Sequence, residues 1–209
     1  MSAPMVAALE QAWVAIRARH PEVPAAVVVL GAGSIGSPAG GLRLGHFAAM
    51  RWHHDEQQLP EVFIGGEGLN RCPADVLATL LHEAAHALAN VRGIKDTSRQ
   101  GRWHNARFKQ LAAEVGIETT KDPRLGWSPT TLPEATRTTY ADTIAALGAA
   151  LRMHRSAELT DGRATKTKAP PTCVCDCGRR IRFAPTVLAA GPITCVVCGT
   201  DFAPEDDGS

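Results

Sequence analysis

Apolar residues recur at helical spacing through Val6, Leu9, Trp13, Val14 and Ile16, with Glu10, Gln11, Arg17 and Arg19 between them. This pattern predicts an opening amphipathic helix closed by Pro21. The apolar run 25–30 reads as a buried strand, and 42–52 and 61–64 read as two further extended segments, with turn chemistry at Gly65, Gly66 and Gly68. From Pro73 to about Val91 the helical period is clearest, with proline in the first turn and Gly93 just past the end. A second helix is expected over 105–115, ending at Gly116, and a third over 133–153 with Ile144, Leu147 and Leu151 on its apolar side. Helix, small sheet and further helices in that order predict an α+β domain.

The stretch ELTDGRATKTKAPPT, which begins at Glu158, is polar, basic and proline-containing, a composition that cannot bury a core. It divides the chain into a main domain over 1–150, a linker over 151–171 and a small module over 172–203. The 209 residues, 44% of them hydrophobic, suffice for one enclosed core and a satellite. Net charge is +1, so the overall field selects no partner. Its distribution is uneven: between 151 and 182 eight basic residues face three acidic ones. No apolar run approaches the roughly 18 residues of a membrane span, and the N-terminus lacks the pattern of an export signal. A soluble, cytoplasmic protein is expected. The string GAGSIG places Gly31, Gly33 and Gly36 after a strand as in a dinucleotide-binding fingerprint, but SPAGG cannot begin the helix that would hold the pyrophosphate, which favours a plain glycine-rich loop.

Chemistry concentrates in His82-Glu83-Ala84-Ala85-His86, an HExxH sequence inside the predicted 73–91 helix. Four-residue spacing puts both imidazoles on one face, where they can bind one zinc ion while Glu83 acts as base. Asp75, Thr79, His82, Glu83, His86 and Asn90 form a polar stripe on an otherwise apolar helix, and burying such a stripe requires partners or a metal. A catalytic zinc usually takes a third protein ligand. Asp96, His104, Glu114 and Glu118 are the downstream candidates, and His104 is the best of them because Phe108 and Leu111 can anchor the helix that follows it. Asp75, Thr79 or Asp96 can accept from the second ring nitrogens, and Arg99, Arg102 and Tyr140 are chemically capable of stabilising an oxyanion.

Five of the six cysteines lie between 173 and 198. Cys195 and Cys198 form a CxxCG knuckle, and CxCxCG upstream offers three thiols for two positions. Cys175 and Cys177 are chosen because Gly178 mirrors Gly199, with Cys173 as the alternate. Four thiolates leave no open position, so this second zinc would be structural. Cys72 reads as a small buried residue. Arg179, Arg180 and Arg182 beside the basic linker suggest phosphate contacts, with solvated surface charge as the bland alternative.

HEAAH followed by KDTSRQGRWHNARFKQLAAEVG resembles the SprT-like family, which includes the Spartan proteases that cleave proteins crosslinked to DNA. The resemblance extends over most of residues 1–200, down to the cysteine ribbon. It implies a zincin-like SprT domain with a small sheet and an HExxH helix, followed by a zinc ribbon. It further implies a catalytic zinc on His82, His86 and His104, Glu83 as general base, and a DNA-associated endopeptidase acting on protein or peptide substrates, DNA–protein crosslinks among them. Asn105 departs from the glycine that many members carry after the third histidine. The competing reading is a non-proteolytic nucleic-acid-binding or adaptor protein that uses a zincin scaffold and ribbon for structure. A zinc hydrolase of small amides is a third.

Overall fold

The computed structural model describes residues 2–34, 41–157 and 170–205. Much of the glycine-rich string, from 35 to 40, and the basic residues Arg163, Lys166 and Lys168 lie outside them. By its contacts the chain divides into two units, 1–158 and 159–209, and is mixed α and β throughout.

In the first unit, helix α1 (Ala3–Arg19) is followed by strands β1 (Val27–Gly31), β2 (Gly45–His54) and β3 (Gln57–Gly65), then a 3-10 turn (Gly66–Asn70) and helix α2 (Pro73–Val91). Next come the short pair β4 (Thr97–Ser98) and β5 (Trp103–His104), helix α3 (Ala106–Glu114), the pair β6 (Glu118–Thr119) and β7 (Thr130–Thr131), and helices α4 (Glu134–Thr139) and α5 (Ala141–Ala150). The sheet order is β1-β3-β2, with β1 parallel and β2 antiparallel to the central β3. Helix α2 packs against α1, α3, α5, β2, β3 and β7. It is the axis of the domain, and Val76, Leu77, Leu80, Leu81, Ala84, Ala85 and Leu88 are fully enclosed.

Three expectations need correction. The extended segments of 42–52 and 61–64 are β2, shifted along the chain, and the longer β3, meeting in a tight hairpin at Asp55-Glu56, a turn with neither glycine nor proline in which Asp55 takes the left-handed conformation. The helix expected over 133–153 is two helices broken at Tyr140. Thr138 and Thr139 turn their hydroxyls onto carbonyls four residues back, and Thr136 bonds the Gly116 carbonyl at 2.6 Å, competing with the straight helical ladder. Cys72 is exposed, at the N-terminal boundary of α2, because the chain is still extended there and turns inward only at Ala74.

Both glycines read as helix stops close Schellman turns. After α2, the Ile94 amide bonds the Ala89 carbonyl and Gly93 has φ +62°. After α3, the Ile117 amide bonds the Ala112 carbonyl and Gly116 has φ +87°. Asn105 caps α3, its side-chain oxygen accepting from the amides of Arg107 (2.8 Å) and Phe108 (3.3 Å).

Residues 151–157, at the head of the expected linker, pack with the first unit. Arg155 donates its amide to the Gly66 carbonyl (3.0 Å) and its guanidinium to Glu67 (2.9 Å), so the strap over 151–157 belongs to the first unit. Glu67 is buried. Burial pushes its carboxyl up, but hydrogen bonds from the Ser34 hydroxyl (2.7 Å) and the amides of Gly33 (2.7 Å) and Ser34 (3.2 Å) prevail and hold it at about 2.

The second unit is a three-stranded sheet, order β10-β8-β9, from β8 (Thr172–Val174), β9 (Arg180–Arg182) and β10 (Ala203–Pro204), with the single-turn helix α6 (Pro185–Ala189). Phe183 and Phe202, both half-buried, touch edge to face, and the buried side chains among its described residues are cysteines, Cys173, Cys175 and Cys195. So small an apolar core implies a cross-link.

Two outcomes follow for stability. Asn105→Ala removes the α3 cap and should cost about 1 kcal/mol in urea unfolding. Glu67 has a folded value of about 2 against 4.5 unfolded, so its contribution is complete above pH 4.5 and is lost as pH falls toward 2. The stability gap between wild type and Glu67→Gln should therefore narrow across that window in thermal melts.

Candidate metal centre

Helix α2 presents His82 and His86 one turn apart, and the chain returns through the Schellman turn and the β4–β5 pair to bring His104 opposite them. His104 Nε2 lies 3.2 Å from Nε2 of both His82 and His86. Around a tetrahedral zinc with Zn–N of 2.0–2.1 Å, ligand nitrogens stand about 3.3 Å apart, so the spacing fits one ion.

The other ring nitrogens identify the tautomers. His86 Nδ1 donates to Asp96 at 2.6 Å, and His104 Nδ1 donates to the Leu125 carbonyl at 3.1 Å. His82 Nδ1 meets Thr130 Oγ1 at 3.1 Å, and that hydroxyl spends its own proton on the Ser128 carbonyl (3.0 Å). Each Nδ1 therefore carries hydrogen, and each Nε2 turns a lone pair toward the common point. Burial, reinforced by the neighbouring rings, holds His82 well below the usual histidine range and His104 below it. Burial also depresses His86, but Asp96 and Glu83 outweigh it and raise the ring.

Backbone pairing, rather than the following helix alone, fixes His104. Its residue pairs with Thr97, its amide bonds the Leu125 carbonyl (2.8 Å), and its own carbonyl accepts from Trp127 (3.0 Å). Gly126 has φ +74° and packs so closely on the His104 carbonyl that a Cβ there would collide with it. Phe108, expected as a helix anchor, is also the floor of the site, its centroid 4.6, 4.6 and 4.5 Å from the rings of His82, His86 and His104.

Glu83 is buried beside the histidines. Burial pushes its carboxyl up to about 7, while His86, the Phe47 amide and Arg43 pull the other way. The Phe47 amide belongs to β2. Gly45, two residues earlier, lies against it so tightly that a Cβ would collide with Glu83 Oε1 and Thr79 Cγ2. A carboxylate poised near neutrality beside three convergent nitrogens can accept and return a proton.

The remaining candidates separate. Asp96 serves His86, whereas Thr79 accepts from Arg71 (2.9 Å) and donates to the Asp75 carbonyl (3.1 Å). Glu114 is bonded with Glu22 to Arg92, and Glu118 is exposed on β6. Arg99 stacks on Trp103 (4.5 Å), and the Tyr140 ring lies under Arg19 (4.7 Å). Thr130 and the Leu125 carbonyl escape sequence reasoning. They sit more than forty and about twenty residues from the histidines they orient, in a segment with no periodic pattern.

In the second unit Cys175, Cys177, Cys195 and Cys198 bring their sulfurs within 4.8 Å of one another. Cys175 and Cys177 stand 3.3 Å apart and Cys177 and Cys195 3.8 Å, against about 3.8 Å around a tetrahedral zinc. Gly178 (φ +80°) and Gly199 (φ +74°) both take the left-handed conformation, and their amides bond the carbonyls of Cys175 and Cys195, each at 2.8 Å, in turns that differ in length by one residue. Cys173 is buried outside the cluster, its sulfur facing the Pro171 carbonyl. Hydrogen bonds from Thr200 lower Cys198 to about 6, amides of Cys198 and Val197 lower Cys195, and the hydrogen bond with the Cys175 sulfur raises Cys177. Arg180 is paired with Glu205, Arg179 approaches the Cys195 sulfur (3.8 Å), and Arg182 is exposed.

Both clusters can therefore hold metal. No helix among the described residues is long and apolar enough to cross a membrane. The chain matches no protein-family model, curated protein or solved structure with which it was compared.

Two equivalents of divalent metal per chain are expected by elemental analysis. His86→Ala should remove one and Cys195→Ser the other. Asp96→Asn should keep the fold but weaken metal binding at the histidines about 10–100-fold, read by competition with a chelator.

Proposed function

We propose that the first unit is a zincin-like, zinc-dependent endopeptidase of the SprT-like type and that the second is a structural zinc ribbon. The observation that carries the reading is the convergence of three oriented Nε2 lone pairs next to a buried Glu83 against which Gly45 packs. Three nitrogen donors suit zinc with one position open, whereas four cysteine sulfurs make a closed set.

When bound at the histidines, zinc supplies Lewis acidity that acidifies water and polarises a carbonyl oxygen. Glu83 accepts the proton of the attacking water at its carboxylate and returns it to the leaving amide nitrogen. Asp96, Thr130 and the Leu125 carbonyl keep the imidazoles in the donor tautomer and orientation. A base beside an open metal position has no use in a purely structural site, which favours an enzyme over the adaptor alternative.

DNA association is proposed on narrower ground. Two of the three ribbon arginines have partners within the ribbon, so phosphate binding would fall to Arg182 and the basic residues of the linker. Such binding would weaken steeply with salt.

The zinc-loaded protein should cleave an unfolded protein such as casein, and Glu83→Gln should lower kcat by about 100-fold or more, the usual scale for a general base. Zinc content should stay at the wild-type value. Cleavage by Glu83→Gln at the wild-type rate would overturn the assignment of the base.

A further inference from the structure

Glu67 is a buried carboxylate that the proposed chemistry does not use, and its four bonds tie together segments distant in sequence. The amides of Gly33 and Ser34 and the Ser34 hydroxyl come from the loop after β1, and the Arg155 guanidinium comes from the strap. The strap is held a second time by the Arg155 amide on the Gly66 carbonyl, and Gly66 is glycine where a Cβ would press on the Arg155 side chain at 3.0 Å.

The contacts continue from this clamp to the active centre without a gap. The Arg43 carbonyl is wedged between Gly33 and Gly65, at either of which a Cβ would collide with it. The Arg43 amide bonds the Gly33 carbonyl, and the Gly65 amide bonds the Leu44 carbonyl, both at 2.9 Å. The Leu44 side chain lies against Gly68 of the same 3-10 turn that carries Glu67, where a Cβ would come within 3.0 Å of it. The next residue is Gly45, in contact with Glu83. Backbones this closely packed have little room to shift independently.

We propose that Glu67 and Arg155 are positioning residues for Glu83. Their ion pair clamps the start of β2 against the base and ties that geometry to the strap through which the chain runs on toward the four-cysteine unit. The clamp rests on the peptidase reading for its catalytic meaning, but its mechanical part stands on these contacts alone. Loosening Arg155 frees the Gly33 turn, then the Arg43 carbonyl, then the wall of Glu83, while the three histidines keep their own supports on Asp96, Thr130 and Leu125. A load on the strap is thereby felt at the proton-transfer group and not at the metal ligands.

The test uses the full-length, zinc-loaded protein with Arg155→Ala, Arg155→Lys and Glu67→Gln, read by amide hydrogen exchange and by casein cleavage. Arg155→Ala should speed exchange across Gly45, His46 and Phe47 about tenfold, with α1 unchanged. Its kcat should fall about tenfold, with KM within about twofold and zinc content intact, as a displaced catalytic group requires. Arg155→Lys, which keeps the charge, should recover part of both effects, and Glu67→Gln should resemble Arg155→Ala. Unchanged exchange at 45–47, an equal rise in α1, or loss of zinc would overturn the clamp. Absence of casein cleavage by wild type would instead fell the peptidase reading, and the exchange data would still decide the clamp.

Discussion

A helix enclosed on nearly every side cannot carry two imidazoles and a carboxylate inward unless each of their polar atoms finds a partner. Helix α2 imposes that condition on the first unit, and much of the surrounding architecture meets it. Asp96 comes from the turn after α2 itself, Thr130 from β7 and the Leu125 carbonyl from the segment that clamps His104, while the Phe47 amide of β2 favours the charged form of Glu83. The short strand pairs, which add little apolar burial, are placed where they deliver these atoms. The atoms left over are three converging lone pairs, whose mutual repulsion a cation relieves. Polar satisfaction thus determines the layout as firmly as core packing does.

How far the sequence reveals this depends on the range of each interaction. Local signals read well: HExxH on its helix, the stops at Gly93 and Gly116, the meeting of His104 with His82 and His86, and the meeting of Cys175 and Cys177 with Cys195 and Cys198. Each rests on spacing or turn chemistry within a few residues. The hairpin at Asp55-Glu56 is harder, because an aspartate in the left-handed region leaves no distinctive mark. The break at Tyr140 depends on threonine hydroxyls and on contacts with α1, which a helical period conceals. Least legible are the partners Thr130 and Leu125, along with the Glu67 cluster, whose members at 33, 34, 67 and 155 meet only when the chain is folded.

The two units solve the problem of stability differently. The first buries a continuous core around α2 and sets its three histidines as an inlay in a scaffold already packed. Among its described residues the second has one aromatic pair and short strands, so its four clustered sulfurs stand in for a larger core. Metal loss should accordingly unfold the second unit while leaving the first largely assembled, since coupling of binding to folding is strongest where little else is buried.

The β4–β5 pair also bears on how this scaffold can diversify. Thr97 faces His104 and Ser98 faces Trp103, so both ends of the connecting loop are pinned before the loop departs. Arg99, Gln100 and Gly101 all have positive φ, and a Cβ at Gly101 would meet nothing. Lengthening such a connection costs only about 0.6 kcal/mol per doubling. The rim beside His104 is therefore a natural position for inserted or exchanged segments, which can alter the outer surface while the histidine geometry beneath it stays the same.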